Sequence, residues 1–346
     1  MEDIHITTAT SICEIDSIAW DQLNKERPFQ SHRWFEFGER VMEDCQPTYL
    51  LAHAGGTLAA RACLWLTRNE PLPRLLGASR QIVKAFINRW PLFICRSPIA
   101  NTTGLILPAE DSLRSEILPT IAQAAVTTAV NKRASFVVFD YLAEDGAKGW
   151  PESYRTVKFS DPGTIMKNQW ESLDDYLSAS TNKKNRRQYK RTMREIEAQG
   201  VRLSQHRKVV DIEAAMRLIR NVELRHGALP NPWTRTLLEN IEQINGIWLD
   251  ARIGERLTGC MLLLEDNGTQ LATALGLADN VSHVYFSLLF ASLEVGLKNK
   301  VHQFRWGSGA YEAKRRLGFQ LESNNLVAVR GTNWLLQRLV HSFIRG

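Results

Sequence analysis

Apolar positions in this chain recur with two periods, and the order in which those periods alternate is repeated. From Tyr49 to Leu66 the chain reads YLLAHAGGTLAARACLWL, an apolar run, a turn at Gly55-Gly56, then a leucine, small residues and a second apolar run. From Ile247 to Leu264 it reads IWLDARIGERLTGCMLLL, the same pattern with Gly254 at the turn. Each predicts a β-hairpin.

The surroundings of the hairpins also correspond. Downstream of the second come a strand over Thr269 to Gly276, an apolar helix over Ser282 to Lys298 and a strand over His302 to Trp306. Downstream of the first come strand-like Leu92 to Cys95 and Gly104 to Leu107, a helix over Ser112 to Lys132 and a strand over Ser135 to Tyr141. Upstream lie helical stretches, one with Trp34, Phe35, Phe37 and Val41, the others over Ala214 to Leu224 and Trp233 to Ile244. Antiparallel strands followed by a helix crossing back to another strand form a βββαβ unit with a right-handed crossover. The fold class is therefore α+β (mixed α/β), two domains in tandem, each a mostly antiparallel sheet flanked by helices. Turn-forming residues over Trp150 to Gly163 mark the boundary. The division is 1–158, a substrate-shaping domain; 159–330, carrying the active site; and 331–346, an amphipathic helix with Leu335, Leu336, Leu339, Val340, Phe343 and Ile344 on one face. Residues 67–91 read as an insertion with a short basic helix built on Ile82, Val83, Phe86, Ile87 and Trp90.

At 346 residues, 44% hydrophobic and 23% charged, the chain has material for two packed cores. No apolar run reaches membrane-span length, and MEDIHITTATSICEID lacks the layout of a signal peptide. A cytoplasmic protein without integral membrane association is expected, as monomer or homodimer. Cys13, Cys45, Cys63, Cys95 and Cys260 are widely spaced, with no histidines at metal spacing, and read as buried thiols; no metal site is expected. A net charge of +6 favours an anionic partner.

Three stretches carry candidate chemistry. Asn182 to Gln199, NKKNRRQYKRTMREIEAQ, predicts a helix with Tyr189, Met193 and Ile196 as its docking stripe. The rest holds Lys183, Lys184, Arg186, Arg187, Lys190, Arg191 and Arg194, seven cations against two carboxylates, either a solvated face or a contact for phosphates. Leu277 to Lys298 is a loop entering a helix. Arg305 to Phe319, RWGSGAYEAKRRLGF, ends a strand with Gly307 and Gly309, which let backbone pass close to a ligand, and brings Lys314 a helical turn later.

On these stretches, the region from Ser172 to Phe319 resembles the Fem-like branch of the GNAT superfamily, which includes FemAB-like and cellulose-biosynthesis-type acyltransferase domains. The resemblance implies tandem GNAT-like domains and an acyltransferase. It aligns Lys314 with a family lysine that meets an anionic or reacting group, and it makes Arg305, Gly307, Ser308 and Gly309 a ligand-binding strand end. In ordinary GNAT acetyltransferases the loop before the crossover helix is glycine-rich and binds the coenzyme A pyrophosphate. Here Asn280, Val281 and His283 stand there, and their side chains would crowd a diphosphate.

Further candidates follow. Glu223 and His226 could take the proton of an attacking amine, imidazole having a pKa of about 6.5. Tyr311 and Tyr285 could protonate a leaving group or hold substrate. Arg225, Lys184 and Arg187 could hold anionic groups. The reaction expected is transfer of an acyl group to the amine of a small molecule, with a backbone N–H of the splayed strands stabilising the oxyanion. The donor expected is acyl-CoA or an acidic acyl-carrier protein as co-substrate, with no tightly bound cofactor. The alternatives are aminoacyl-tRNA, the donor of Fem-like relatives, and a non-catalytic binding protein on the same fold. The first half has no counterpart of the 305–319 signature, so the second carries the chemistry, with the seam between halves as the expected cleft.

Overall fold

The computed structural model describes residues 4–70, 89–143, 148–158, 162–179, 183–279, 281 and 283–343. The described residues fall into two compact units, one of residues up to 162 together with 323–343, the other of 163–322. Among them no helix is long and apolar enough to cross a membrane.

The first unit opens with β1 (Ile4–Ala9), α1 (Ser17–Asn24) and α2 (His32–Val41). The Ser31 side chain caps α2 by accepting from the Trp34 N–H, and Trp34, Phe35, Phe37 and Val41 are buried, the stripe the sequence predicts. The hairpin follows as β2 (Gln46–Ala54) and β3 (Thr57–Thr67), turning at Gly55 and Gly56, both at positive φ. Then come β4 (Leu92–Cys95), β5 (Leu105–Ile106), α3 (Asp111–Asn131), β6 (Phe136–Leu142) and β7 (Arg155–Lys158). β4 and β6 pair in parallel across the α3 connection.

The second unit repeats the plan. Its elements are β8 (Thr164–Lys167), α4 (Leu173–Ser178), α5 (Lys183–Ala198), β9 (Val201–His206), α6 (Ile212–Arg225) and α7 (Thr234–Glu239). They continue with β10 (Ile247–Ile253), β11 (Arg256–Asp266), β12 (Thr269–Leu277), α8 (Val284–Lys298), β13 (Gln303–Trp306), α9 (Tyr311–Arg316) and β14 (Gln320–Leu321). The sheet runs β14-β8-β13-β12-β11-β10-β9. Leu249, Leu263, Leu288, Leu293 and Phe304 make the core on the α8 side. On the other side α6 comes so near that a Cβ at Gly276 would lie 2.8 Å from Leu218 Cβ and 2.9 Å from the Ile219 nitrogen.

After β14 the chain returns to the first sheet as β15 (Leu326–Gly331), antiparallel between β6 and β7, and α10 (Trp334–Phe343) packs on it through Leu336 and Val340. This corrects the expected division. Residues 323–330 belong to the first unit, and the terminal helix is part of that unit too, because the open edge of β6 needs a partner strand for its backbone groups. Two smaller differences concern helices and thiols. The stretch expected as one helix over Trp233 to Ile244 breaks at Asn240 into α7 and a 3-10 turn. Cys13 is exposed, while the other four cysteines are buried. Ile82, Val83, Phe86 and Ile87 lie outside the described residues, as do Asn280, Ser282 and Ile344.

Candidate active site

β12 and β13 pair in parallel only from Thr269 with Gln303 to Ala272 with Trp306. Beyond that point they part. β12 continues through Ala274, whose φ is +47° and where the register with β11 shifts, leaving 273–275 half-buried with one backbone edge free of β13. A free backbone edge at the mouth of parted strands can donate to a carbonyl oxygen of a bound acyl group.

β13 turns away through Gly307, Ser308, Gly309 and Ala310. Gly309 has φ +87° and Ala310 φ +47°, and a Cβ built on Gly307 or Gly309 would meet nothing within 4 Å. The turn therefore borders open space. Lys314, on α9 just after it, is 6% exposed, and its ammonium donates to the Gly307 carbonyl oxygen at 2.5 Å. Burial pushes Lys314 down to about 8, with the Glu322 carboxylate acting in the opposite sense. Arg305, on β13, is buried in a two-pronged pair with Glu322, Nε to Oε1 and Nη2 to Oε2, the latter at 3.0 Å. Trp306 and Phe319 stack at 3.9 Å between centroids, fastening the two ends of the loop that carries α9.

The fold thus brings Arg305, Gly307, Ser308, Gly309, Tyr311 and Lys314 together, with Tyr311 half-buried at the start of α9. Arg305 is a structural partner of Glu322, not a free ligand-binding cation, because its guanidinium is already bound bidentately. Glu223 is likewise committed. Arg220 Nη1 donates to its Oε2 at 2.5 Å and the Asn231 N–H donates to its Oε1 at 3.1 Å, so the carboxylate pins the loop after α6 instead of serving as a free base. His226 is the exposed C-cap of α6, its N–H on the Val222 carbonyl, a helix-ending role. Arg225 donates to the Leu277 carbonyl at 2.8 Å and pairs with Asp279 at 3.2 Å, tying α6 to the end of β12. Tyr285 is half-buried in the first turn of α8, edge-on to Phe286, and burial pushes its hydroxyl up to about 12.

The basic helix α5 docks by its predicted stripe, with Tyr189 edge-on to Phe290 of α8 at 5.1 Å and Ile196 buried. Lys184, Arg187 and the other five cations are exposed. The helix is nevertheless joined to the turn. Buried Asn185 donates to the Tyr176 hydroxyl at 3.0 Å, and that hydroxyl donates to the Leu317 carbonyl at 3.0 Å, three residues after Lys314. The cationic face thus begins two hydrogen bonds from α9. Sequence reasoning missed Glu322, Tyr176 and Asn185, since nothing in their local pattern marks them.

In the first unit, no lysine stands among the described residues at the corresponding place, where β4 and β6 part. Arg96 pairs with Glu70 at 2.6 Å, both largely buried, and burial pushes neighbouring Asp140 up to about 6 against the pull of Arg96.

A family model described as FemAB-like, peptidoglycan biosynthesis/recognition, matches residues 11–344. No curated protein matches the sequence. Among solved structures, FemX is similar with a TM-score of 0.58 at 9% identity, covering 98% of this chain and 99% of that one. A tandem GNAT protein from the clavulanic acid biosynthesis pathway has a TM-score of 0.53 at 12% identity, covering 96% and 99%. The C-terminal domain of a putative lysylphosphatidylglycerol synthetase from Agrobacterium fabrum has a TM-score of 0.51 at 11% identity, covering 97% and 100%. At these identities the likeness is one of fold.

Proposed function

We propose that this chain, which belongs to the FemAB-like family and is a transferase on tandem GNAT-like units, moves an aminoacyl group from an aminoacyl-tRNA to an amine at the 307–314 turn. The observation that carries this reading is the buried Lys314 ammonium on the Gly307 carbonyl, beside open space and joined to a helix of exposed cations. The amine nitrogen attacks the ester carbonyl, and the developing oxyanion takes a hydrogen bond from the free edge of β12. The C–N bond forms, the ester C–O bond breaks, and the nucleophile's proton passes to the departing ribose oxygen. Lys314, as the nearby cation, offsets the negative charge that builds on the oxygens.

The donor is where this reading departs from acyl-CoA or an acyl-carrier protein. A diphosphate would need backbone N–H groups in a glycine-lined loop, whereas His283 precedes α8 with φ +66° and α8 has no glycine in its first turn. A polyanion of spaced phosphates suits a helix whose outward side carries Lys183, Lys184, Arg186, Arg187, Lys190, Arg191 and Arg194. We take the acceptor to be an amine.

The deciding experiment is mass spectrometry of the purified chain with an amine panel and three donor sets: charged tRNAs, acyl-CoAs and loaded acyl carriers. Amide product from charged tRNA alone supports the proposal. Product from acyl-CoA or a carrier, with none from tRNA, overturns it in favour of the other donor.

A further inference from the structure

At one end of the first sheet the starts of β4 and β6, the C-terminus of α3 and the turn from β15 into α10 come together. Hydrogen bonds hold them there. The Ser135 N–H donates to the Pro91 carbonyl at 2.8 Å, the Thr332 N–H to the Ser135 carbonyl at 3.0 Å, and Thr332 Oγ1 to the Ala134 carbonyl at 3.0 Å. Trp334, the most exposed large apolar side chain among the described residues, stands at this junction with 70% of its surface open, beside Leu335 at 55%. Val130, in the last turn of α3, is 51% exposed. Because α10 seats Leu336 and Val340 on the sheet, Trp334 and Leu335 stand on its open side. An indole and an isobutyl group side by side in water forgo the burial each would gain, and such pairs mark a contact surface.

The charges around them are mostly of one sign. Arg338, one turn on, holds its guanidinium 5.2 Å over the Trp334 ring. Arg133 is exposed just past α3, next to half-buried Lys132, and its N–H donates to the Val130 carbonyl at 3.0 Å, which keeps cation and apolar side chain together. The stretches 117–139 and 323–343 that build this end contain no aspartate or glutamate. The loop that also reaches α10, where the Ser153 carbonyl accepts from Gln337 Nε2 at 2.7 Å, adds exposed Glu152 and exposed Arg155, which offset each other.

We propose that this end of the first unit docks on an anionic phospholipid surface, with Trp334 and Leu335 entering the interfacial layer and Lys132, Arg133 and Arg338 against the headgroups. An indole lies by preference at the boundary between headgroup and hydrocarbon, and cations on aliphatic stems reach phosphates from the same depth. The surface lies outside the 307–314 turn and owes nothing to the donor that the second unit takes.

The test is sedimentation of the full chain with vesicles of phosphatidylcholine alone and of phosphatidylcholine mixed with phosphatidylglycerol. Binding to the mixed vesicles is expected, weak or absent on the neutral ones and reduced by salt. Trp334→Ala with Leu335→Ser should weaken it by about tenfold or more, and Arg133→Gln with Arg338→Gln by about fivefold or more. All four positions are exposed, so melting temperatures should not change. Bromine on the lipid acyl chains should quench the tryptophan fluorescence of the native chain more than that of Trp334→Phe, a sign of insertion that surface charge alone does not move. The cations of α5 could also gather an anionic surface, so Lys184→Ala with Arg187→Ala is run alongside. A fall in binding by the Trp334–Leu335 variant supports the docking surface whatever the α5 variant does. Binding untouched by that variant overturns it and, if lost in the α5 variant, passes the lipid contact to the second unit. A native chain that stays off the mixed vesicles overturns it as well, and a dimer dissolved by Trp334→Ala with Leu335→Ser would then assign the patch to a second copy.

Discussion

The Tyr176 hydroxyl donates to the Leu317 carbonyl oxygen at 3.0 Å, across 141 residues of sequence, and in doing so links the basic helix α5 to the end of α9. Tyr176 is 1% exposed, so the bond has no water to replace it. Tyr176→Phe keeps the ring and removes the hydroxyl that donates to the Leu317 oxygen and accepts from Asn185 Nδ2. It is expected to cost roughly 1–3 kcal/mol of stability. Urea unfolding measures this, and a cost near zero would mean the linkage carries no weight.

Lys314 gives the pH dependence its direction. Its pKa is lowered to about 8, so as pH rises through that value the ammonium is lost and transfer falls with it. Stability moves the other way. A lysine whose folded pKa lies below its unfolded one burdens the fold while both states are protonated, and that burden is relieved between about pH 8 and 10.5. Lys314→Ala should lower turnover by about a factor of ten to a thousand, the order of a lost electrostatic contact to the transition state. Rate–pH profiles and thermal unfolding at pH 7 and 10 check both signs.

The exposed cations of α5 give a test with no structural cost. Lys184→Ala with Arg187→Ala removes two surface charges whose side chains the fold does not use. Binding of the chain to tRNA should weaken, with a salt dependence shallower by about two in the log–log slope. Circular dichroism and melting should not change. An unaltered slope would assign this face to solvent.

Two buried arginines of the first unit should respond differently to the same substitution. Arg96 neutralises Glu70, whose other oxygen is buried without a partner, so Arg96→Met leaves an unpaired buried carboxylate and should cost about 3–5 kcal/mol. Arg61 is fully buried, lies 3.4 Å over the Trp20 ring and donates to Gln30, with Nε and Nη1 unbonded; among the described residues no carboxylate lies within ion-pair distance, and Asp21 acts on it only from further away. Arg61→Met removes a poorly compensated charge and should stay within about 2 kcal/mol of the native protein. Equal costs at the two positions would refute the distinction.

Much of this architecture is local and was therefore readable. The hairpins at Gly55-Gly56 and Gly254 follow from glycine turns between apolar runs, and α2, α5 and α8 follow from helical stripes that are buried in the structure. The RWGSGAYEAK turn was readable as a strand end because its glycines and the lysine one helical turn later are neighbours in the chain. The partners of Glu223 and Arg305 were not readable for the converse reason. Both are charged groups whose partners Arg220, Asn231 and Glu322 reach them only once the chain has folded.

By itself, then, the sequence determined two βββαβ units and the strand end where Lys314 stands, because apolar period and turn chemistry act between residues a few positions apart. Tertiary structure alone decided that β15 completes the first sheet, that Glu322 closes on Arg305, and that Tyr176 carries α5 to α9. Those outcomes depend on which strand edges and buried polar atoms are left unsatisfied after the local elements have packed, a quantity that no segment of the chain holds on its own.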